Sequence, residues 1–166
     1  MADGLPIKTK ELTLQDPLNV GFQFVRRPAP VPAVLRPEWC ISSLLLALRQ
    51  CWGNRATRRQ LHVLNWALRT PEAQATFAQA IAGNIRPDEA IVRFDPVVDR
   101  ALQFAEGEKL VTASGDLILM TRKGEDFVRK LMRNTDCMVA EKEFLSSLGK
   151  KLTQVQVDAF LAWETK

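Results

Sequence analysis

One histidine, three cysteines and no tyrosine are all that this chain of 166 residues offers to ring-nitrogen, thiol or phenol chemistry. His62 stands between Leu61 and Val63 in the middle of a helical pattern. No serine or cysteine at a strained turn is there for it to activate, so it reads as a partly exposed structural histidine. Cys51 precedes it by eleven residues with nothing converging on the pair, whereas a zinc site needs clustered ligands. Gly149-Lys150-Lys151 has the end of a phosphate loop, but Phe144 occupies the position where that loop needs its first glycine. Asp95 and Asp99 lie one helical turn apart and offer two carboxylates, although a cap and a solvated face account for them more simply. The expectation is therefore a protein without catalysis, metal, cofactor or small-molecule substrate.

The elements that would position these residues centre on Phe94 to Gly124. Asp95 is a good helix cap and Pro96 sits at the first helical position, where a proline costs nothing. Val97, Val98, Ala101, Leu102 and Ala105 then recur at helical spacing. Ser114-Gly115 between two short apolar runs signals a hairpin, and Thr121 caps a further helix carrying Phe127, Val128, Leu131 and Met132. Upstream, Pro37 opens a helix running to about Trp52, with Trp39, Leu44, Leu45, Leu48 and Trp52 expected in the core and Gly53-Asn54 as its stop. Thr57 caps a second helix with a Leu61, Leu64, Leu68 stripe and Trp66 on another side. Thr70-Pro71-Glu72 starts a third that Gly83-Asn84 ends. A segment at about 138–148 and a capping box at Thr153 to Gln156 give two last helices, with Val157, Phe160 and Leu161 facing inward. The fold expected is mainly α with a small β wing. It is a winged helix-turn-helix over 38–134, an extended proline-containing arm over 1–37, and two C-terminal helices over 135–166. Pro28 to Pro32 makes the arm a semi-rigid spacer.

Charge is distributed unevenly along this frame. Arg49, Arg55, Arg58, Arg59 and Arg69 stand in one stretch without an acid, and 121–133 holds five basic residues against two acids, a net +3. The helix in the position of a recognition helix, 95–108, has four acids and one arginine, a net −3. Base edges are read by Arg, Lys, Asn or Gln at close approach to phosphates, and an acidic helix is repelled there. Either this helix grips protein instead of DNA, or Asp99, Glu106 and Glu108 point away from the groove and the basic helix at 122–133 does the binding. A whole-chain net charge of +4 permits both.

No apolar run approaches the roughly 20 residues a bilayer span needs. The longest, Ile41 to Leu48, is interrupted by Ser42 and Ser43. The opening Met1-Ala2-Asp3-Gly4 lacks a basic-then-apolar leader pattern. Cys40, Cys51 and Cys137 are odd in number with no CxxC spacing, so reduced thiols and a cytoplasmic location are expected.

Arg59-Gln60-Leu61-His62-Val63-Leu64-Asn65-Trp66-Ala67-Leu68-Arg69, then Val92-Arg93-Phe94-Asp95-Pro96, then Leu119-Met120-Thr121-Arg122-Lys123-Gly124 resemble the middle components of bacterial three-component ABC-ATPase systems, including Lamassu-type anti-phage operons. The likeness spans about 38–133. It implies a non-enzymatic subunit, similar to the winged-helix accessory proteins of SMC complexes, with an SMC- or Rad50-like ATPase and an effector nuclease as partners and DNA as a further contact within the complex. On that footing Arg55, Arg58, Arg59, Arg122, Lys123 and Arg129 are the candidates for touching DNA or an acidic partner. Trp66, Asp99, Phe160 and Trp163 are the candidates for a protein interface. The competing expectation is a dimeric winged-helix transcription regulator.

Overall fold

The computed structural model describes residues 36–87, 94–149 and 152–161, with Pro32, Ala90 and Val92 besides. Nearly all of the expected arm, and Ile91, Arg93 and Trp163, lie outside the described residues. The described chain is mainly helical with one small three-stranded antiparallel sheet. Among the described residues no helix is long and apolar enough to cross a membrane.

The central element is α1 (Pro37–Gln50), in which Cys40 and every residue from Ser42 to Leu48 are buried. A helix buried on nearly all sides must satisfy any polar group it carries, and Ser43 does so by donating to the Trp39 carbonyl at 2.7 Å. The helix stops at Gln50, two residues before the expected end, where the Cys51 N–H turns back to the Ala47 and Leu48 carbonyls. Gly53 (φ 70°) and Asn54 (φ 52°) then form a single 3₁₀ turn. This corrects the expectation for Trp52: its spacing from Leu45 and Leu48 implies burial only while the helix lasts, and beyond the stop it is 66% exposed.

β1 (Arg55–Thr57), which the sequence did not announce, follows this turn. Thr57 caps α2 (Arg58–Arg69) through a capping box: its hydroxyl accepts from the Gln60 N–H while the Gln60 side chain accepts from the Thr57 N–H. Thr70 caps α3 (Pro71–Ile81) with its hydroxyl alone, which accepts from the Ala73 N–H at 3.2 Å. Asp95 caps α4 (Pro96–Gly107), accepting from the Val97 N–H at 2.9 Å. The hairpin is β2 (Val111–Ser114) and β3 (Leu117–Met120), with Gly115 at φ 62° in its turn. β3 lies in the middle of the sheet, pairing with β2 (Thr112 opposite Leu119) and with β1 (Ala56 opposite Ile118). The Arg58 N–H donates to the Asp116 carbonyl at 3.0 Å, pinning the hairpin turn to the start of α2.

α5 (Arg122–Arg133), α6 (Val139–Ser147) and α7 (Gln154–Asp158) complete the body. α6 is held to α1 by the Trp39 indole donating to Glu141 at 3.0 Å. Phe77 of α3 stacks on Phe160 just beyond α7 (centroids 4.8 Å apart) and meets Phe144 of α6 edge-on at 6.2 Å. Three helices distant in sequence thus share one aromatic cluster.

The start of α5 is pressed against the strand entering the hairpin. A Cβ at Gly124 would lie 2.2 Å from the Leu110 carbonyl oxygen and 2.8 Å from Met120. Alanine gains about 1 kcal/mol of helix propensity over glycine, but overpacking against backbone costs about 1–3 kcal/mol or more. Gly124→Ala is therefore expected to destabilise the fold by about 2 kcal/mol in urea unfolding, against a stabilisation if propensity decided the outcome.

Candidate functional site

The chemistry-bearing residues that the fold brings together lie between α2 and the N-terminus of α4. Arg58, His62 and Arg69 recur along one side of α2, because steps of four and seven residues return to the same helical face. Opposite them, Arg58 Nη1 meets Asp99 Oδ1 at 2.9 Å and Arg69 Nη1 meets Asp95 Oδ2 at 2.5 Å. His62 sits between these pairs. Its Nδ1 accepts from the Asp95 backbone N–H at 3.2 Å, and its Nε2 faces Asp99 at 3.6 Å. An accepting Nδ1 requires the neutral ring with its proton on Nε2.

His62 is only 6% exposed, which corrects the expectation of a partly exposed ring. Phe94 covers it, with ring centroids 4.7 Å apart. Burial pushes the histidine pKa below its ordinary value, against the opposing pull of Asp99. Beneath the cluster, Cys40 lies beside Asn65 Oδ1 (3.9 Å) and the Val97 carbonyl (4.0 Å). Burial, seconded by Asp95, raises its thiol pKa to about 11, so it stays protonated at neutral pH and is inert as a nucleophile.

The remaining candidates fall into three groups. Arg55 and Arg59 are exposed, the first with its guanidinium 5.7 Å from the centre of the Trp52 ring. Arg122 is exposed at the start of α5, while Lys123 reaches back to the Glu108 carbonyl (2.7 Å) and carboxylate (3.4 Å), and Arg129 pairs with Asp126 at 2.8 Å. Trp66 is half-buried with its ring 6.2 Å from that of Phe160, and Phe160 is wholly buried inside this chain.

These pairings change the meaning of the acidic α4. Asp95 and Asp99 pair with arginines of α2, and Glu108, just past the helix and itself exposed, pairs with Lys123. What α4 presents outward is Arg100, Gln103, Phe104 and Glu106, with Phe104 61% exposed. Phe104 was not anticipated, although a signal existed: it falls off the Val98, Ala101, Leu102, Ala105 stripe and is the one large apolar residue on the polar side. The chain matches no protein-family model, no curated protein and no solved structure.

The histidine gives a pH signature. Its folded pKa lies below the unfolded value of about 6.5, so its contribution is complete above that pH and is lost as pH falls through the folded pKa. Wild type is expected to lose up to about 1.4 kcal/mol per pH unit more than His62→Gln on acidification below pH 6.5. Urea unfolding at pH 7.5, 6.5 and 5.5 measures this, and parallel losses in the two proteins would contradict it.

Proposed function

We propose that this chain is a non-catalytic winged-helix subunit that docks through α4 on an SMC- or Rad50-like ATPase and couples it to an effector nuclease in a bacterial anti-phage or anti-plasmid defence complex. The winged-helix reading is supported by the order of elements: α1, β1, a helical segment ending in α4, then the β2–β3 hairpin, with sheet order β1-β3-β2. Here the segment between β1 and the hairpin holds three helices, α3 being additional to the usual pair.

The outward face of α4 carries the proposal. It bears one arginine and one glutamate, so its charges balance, and its protruding group is an aromatic ring. Phosphates reward clustered cations, whereas protein interfaces are enriched in aromatic residues and arginine. Arg58 and Arg69, which would otherwise supply positive charge beside α4, are occupied by its acids. The resemblance to middle components of three-component ABC-ATPase systems supplies the kind of partner.

A dimeric transcription regulator is the second reading, favoured by the basic α5 with Arg122, Lys130 and Arg133 exposed. The two separate on DNA. A subunit of an ATPase complex is expected to bind duplexes without sequence preference and with steep salt dependence, while a regulator binds its own upstream site orders of magnitude more tightly.

Tagged protein expressed from its native operon is expected to bring down the ATPase at physiological salt. Phe104→Ala should weaken that association by about thirtyfold, the loss typical of a central aromatic anchor, without altering the unfolding midpoint. A chain that elutes alone would overturn the proposal.

A further inference from the structure

A second surface, beside β1 and the first residue of β3, has the make-up of a docking site. The turn after α1 is joined to the start of α7 by two backbone hydrogen bonds, Leu152 N–H to the Gln50 carbonyl (3.1 Å) and Trp52 N–H to the Leu152 carbonyl (3.3 Å). Gln60 strengthens the same seam, donating to the Gln154 carbonyl at 3.3 Å and to Asp158 at 3.2 Å. Beside the seam opens a groove of about 420 Å³ whose walls are mostly apolar, with Leu117 and Leu152 at its sides. Trp52 and Val155 stand on its rim, 66% and 79% exposed. Two large apolar side chains a hundred residues apart in sequence are thus brought to one opening.

Among the described residues Arg55 is the sole charged side chain lining the groove. It is held in place: its guanidinium lies over the Trp52 ring, and its stem passes above Gly53, where a Cβ would come within 3.5 Å of Nε. Glycine at Gly53 supplies the positive φ (70°) that the turn needs, and a Cβ there would make only ordinary contact with the arginine. An arginine laid down in advance on an aromatic ring loses little freedom on binding, and its planar fork matches a carboxylate.

We infer that this groove docks a segment of a partner protein that presents a bulky apolar side chain next to an aspartate or glutamate, the apolar group entering against Trp52 and the carboxylate meeting Arg55. The inference rests on the reading of the chain as an interaction subunit and adds to it: a subunit that couples two proteins needs two separate surfaces, and the groove is distinct from the α4 face.

The test uses the complex purified from the native operon with wild type, Trp52→Ala and Arg55→Glu as bait, and with a photo-reactive benzophenone residue in place of Val155. Both altered side chains are exposed, so the unfolding midpoints of the variants should equal that of wild type. Each variant is expected to lose at least about thirtyfold in affinity for one component. The photo-crosslink should fall on a peptide of that component with an acidic residue beside an apolar one. Full retention of every component by both variants would overturn the groove and leave the interaction reading standing. A crosslink to nucleic acid, to a second copy of this chain or to its own N-terminal residues would overturn it too. Wild type recovered alone would overturn both readings together.

Discussion

Asp95 caps α4 and ties its start to α2, through three separate bonds in all. One carboxylate oxygen caps α4, the other holds Arg69 at the end of α2, and its backbone N–H is taken by the buried ring of His62. The orientation of α4 relative to α2 is therefore set at the first turn of α4, where free N–H groups would otherwise need water. Because α4 runs directly through Glu108 and Lys109 into the hairpin, that orientation also places the wing. A cap in most helices orders one end. Here the same side chain orders the junction of two.

Two of the three runs on which the proposed likeness to ABC-system middle components rests meet at this junction. Asn65-Trp66-Ala67-Leu68-Arg69 contributes the acceptor beside Cys40 and the arginine that meets Asp95, and Phe94-Asp95-Pro96 contributes the cover over His62, the cap and the first helical residue. Thr121 to Gly124 supplies the α5 cap and the one position where the Leu110 carbonyl leaves no room for a side chain. These residues sit in the frame, and the exposed side chains proposed to meet partners, Phe104 and Trp52, lie elsewhere.

What was legible in the sequence was local. The caps at Thr57, Thr70, Asp95, Thr121 and Thr153 and the Gly115 turn are decided within three or four residues, and all stand where the pattern puts them. What was not legible depends on distant partners. β1 is three residues long with no alternation to betray it, and it exists because β3, some sixty residues later, offers it an edge. Helical periodicity puts Trp52 in the core only if α1 runs two residues past its true end at Gln50. His62 seemed half-exposed because the residues that enclose it, Phe94 to Asp99, lie more than thirty residues away. Charge counts failed in a similar way, for a net of −3 along α4 says nothing of which acids face inward.

The ion pairs of α4 do not exclude DNA by their own strength. Arg58 and Asp99 are each about 40% exposed, and pairs of that kind contribute about 0–1 kcal/mol, which phosphate contacts easily offset. The obstacle is what remains once Arg58 leaves. Asp99 would then stand uncompensated beside incoming phosphates, with His62 at 3.6 Å held neutral by burial and by its bond to the Asp95 N–H. Neutralising Asp99 by protonating His62 would surrender that bond and with it part of the junction. A duplex approaching α4 thus either meets a bare carboxylate or loosens the turn that positions the helix. A protein surface approaching the same face meets Phe104 and leaves the pairs intact, and this difference in what each partner must disturb is the physical support for the proposed docking through α4.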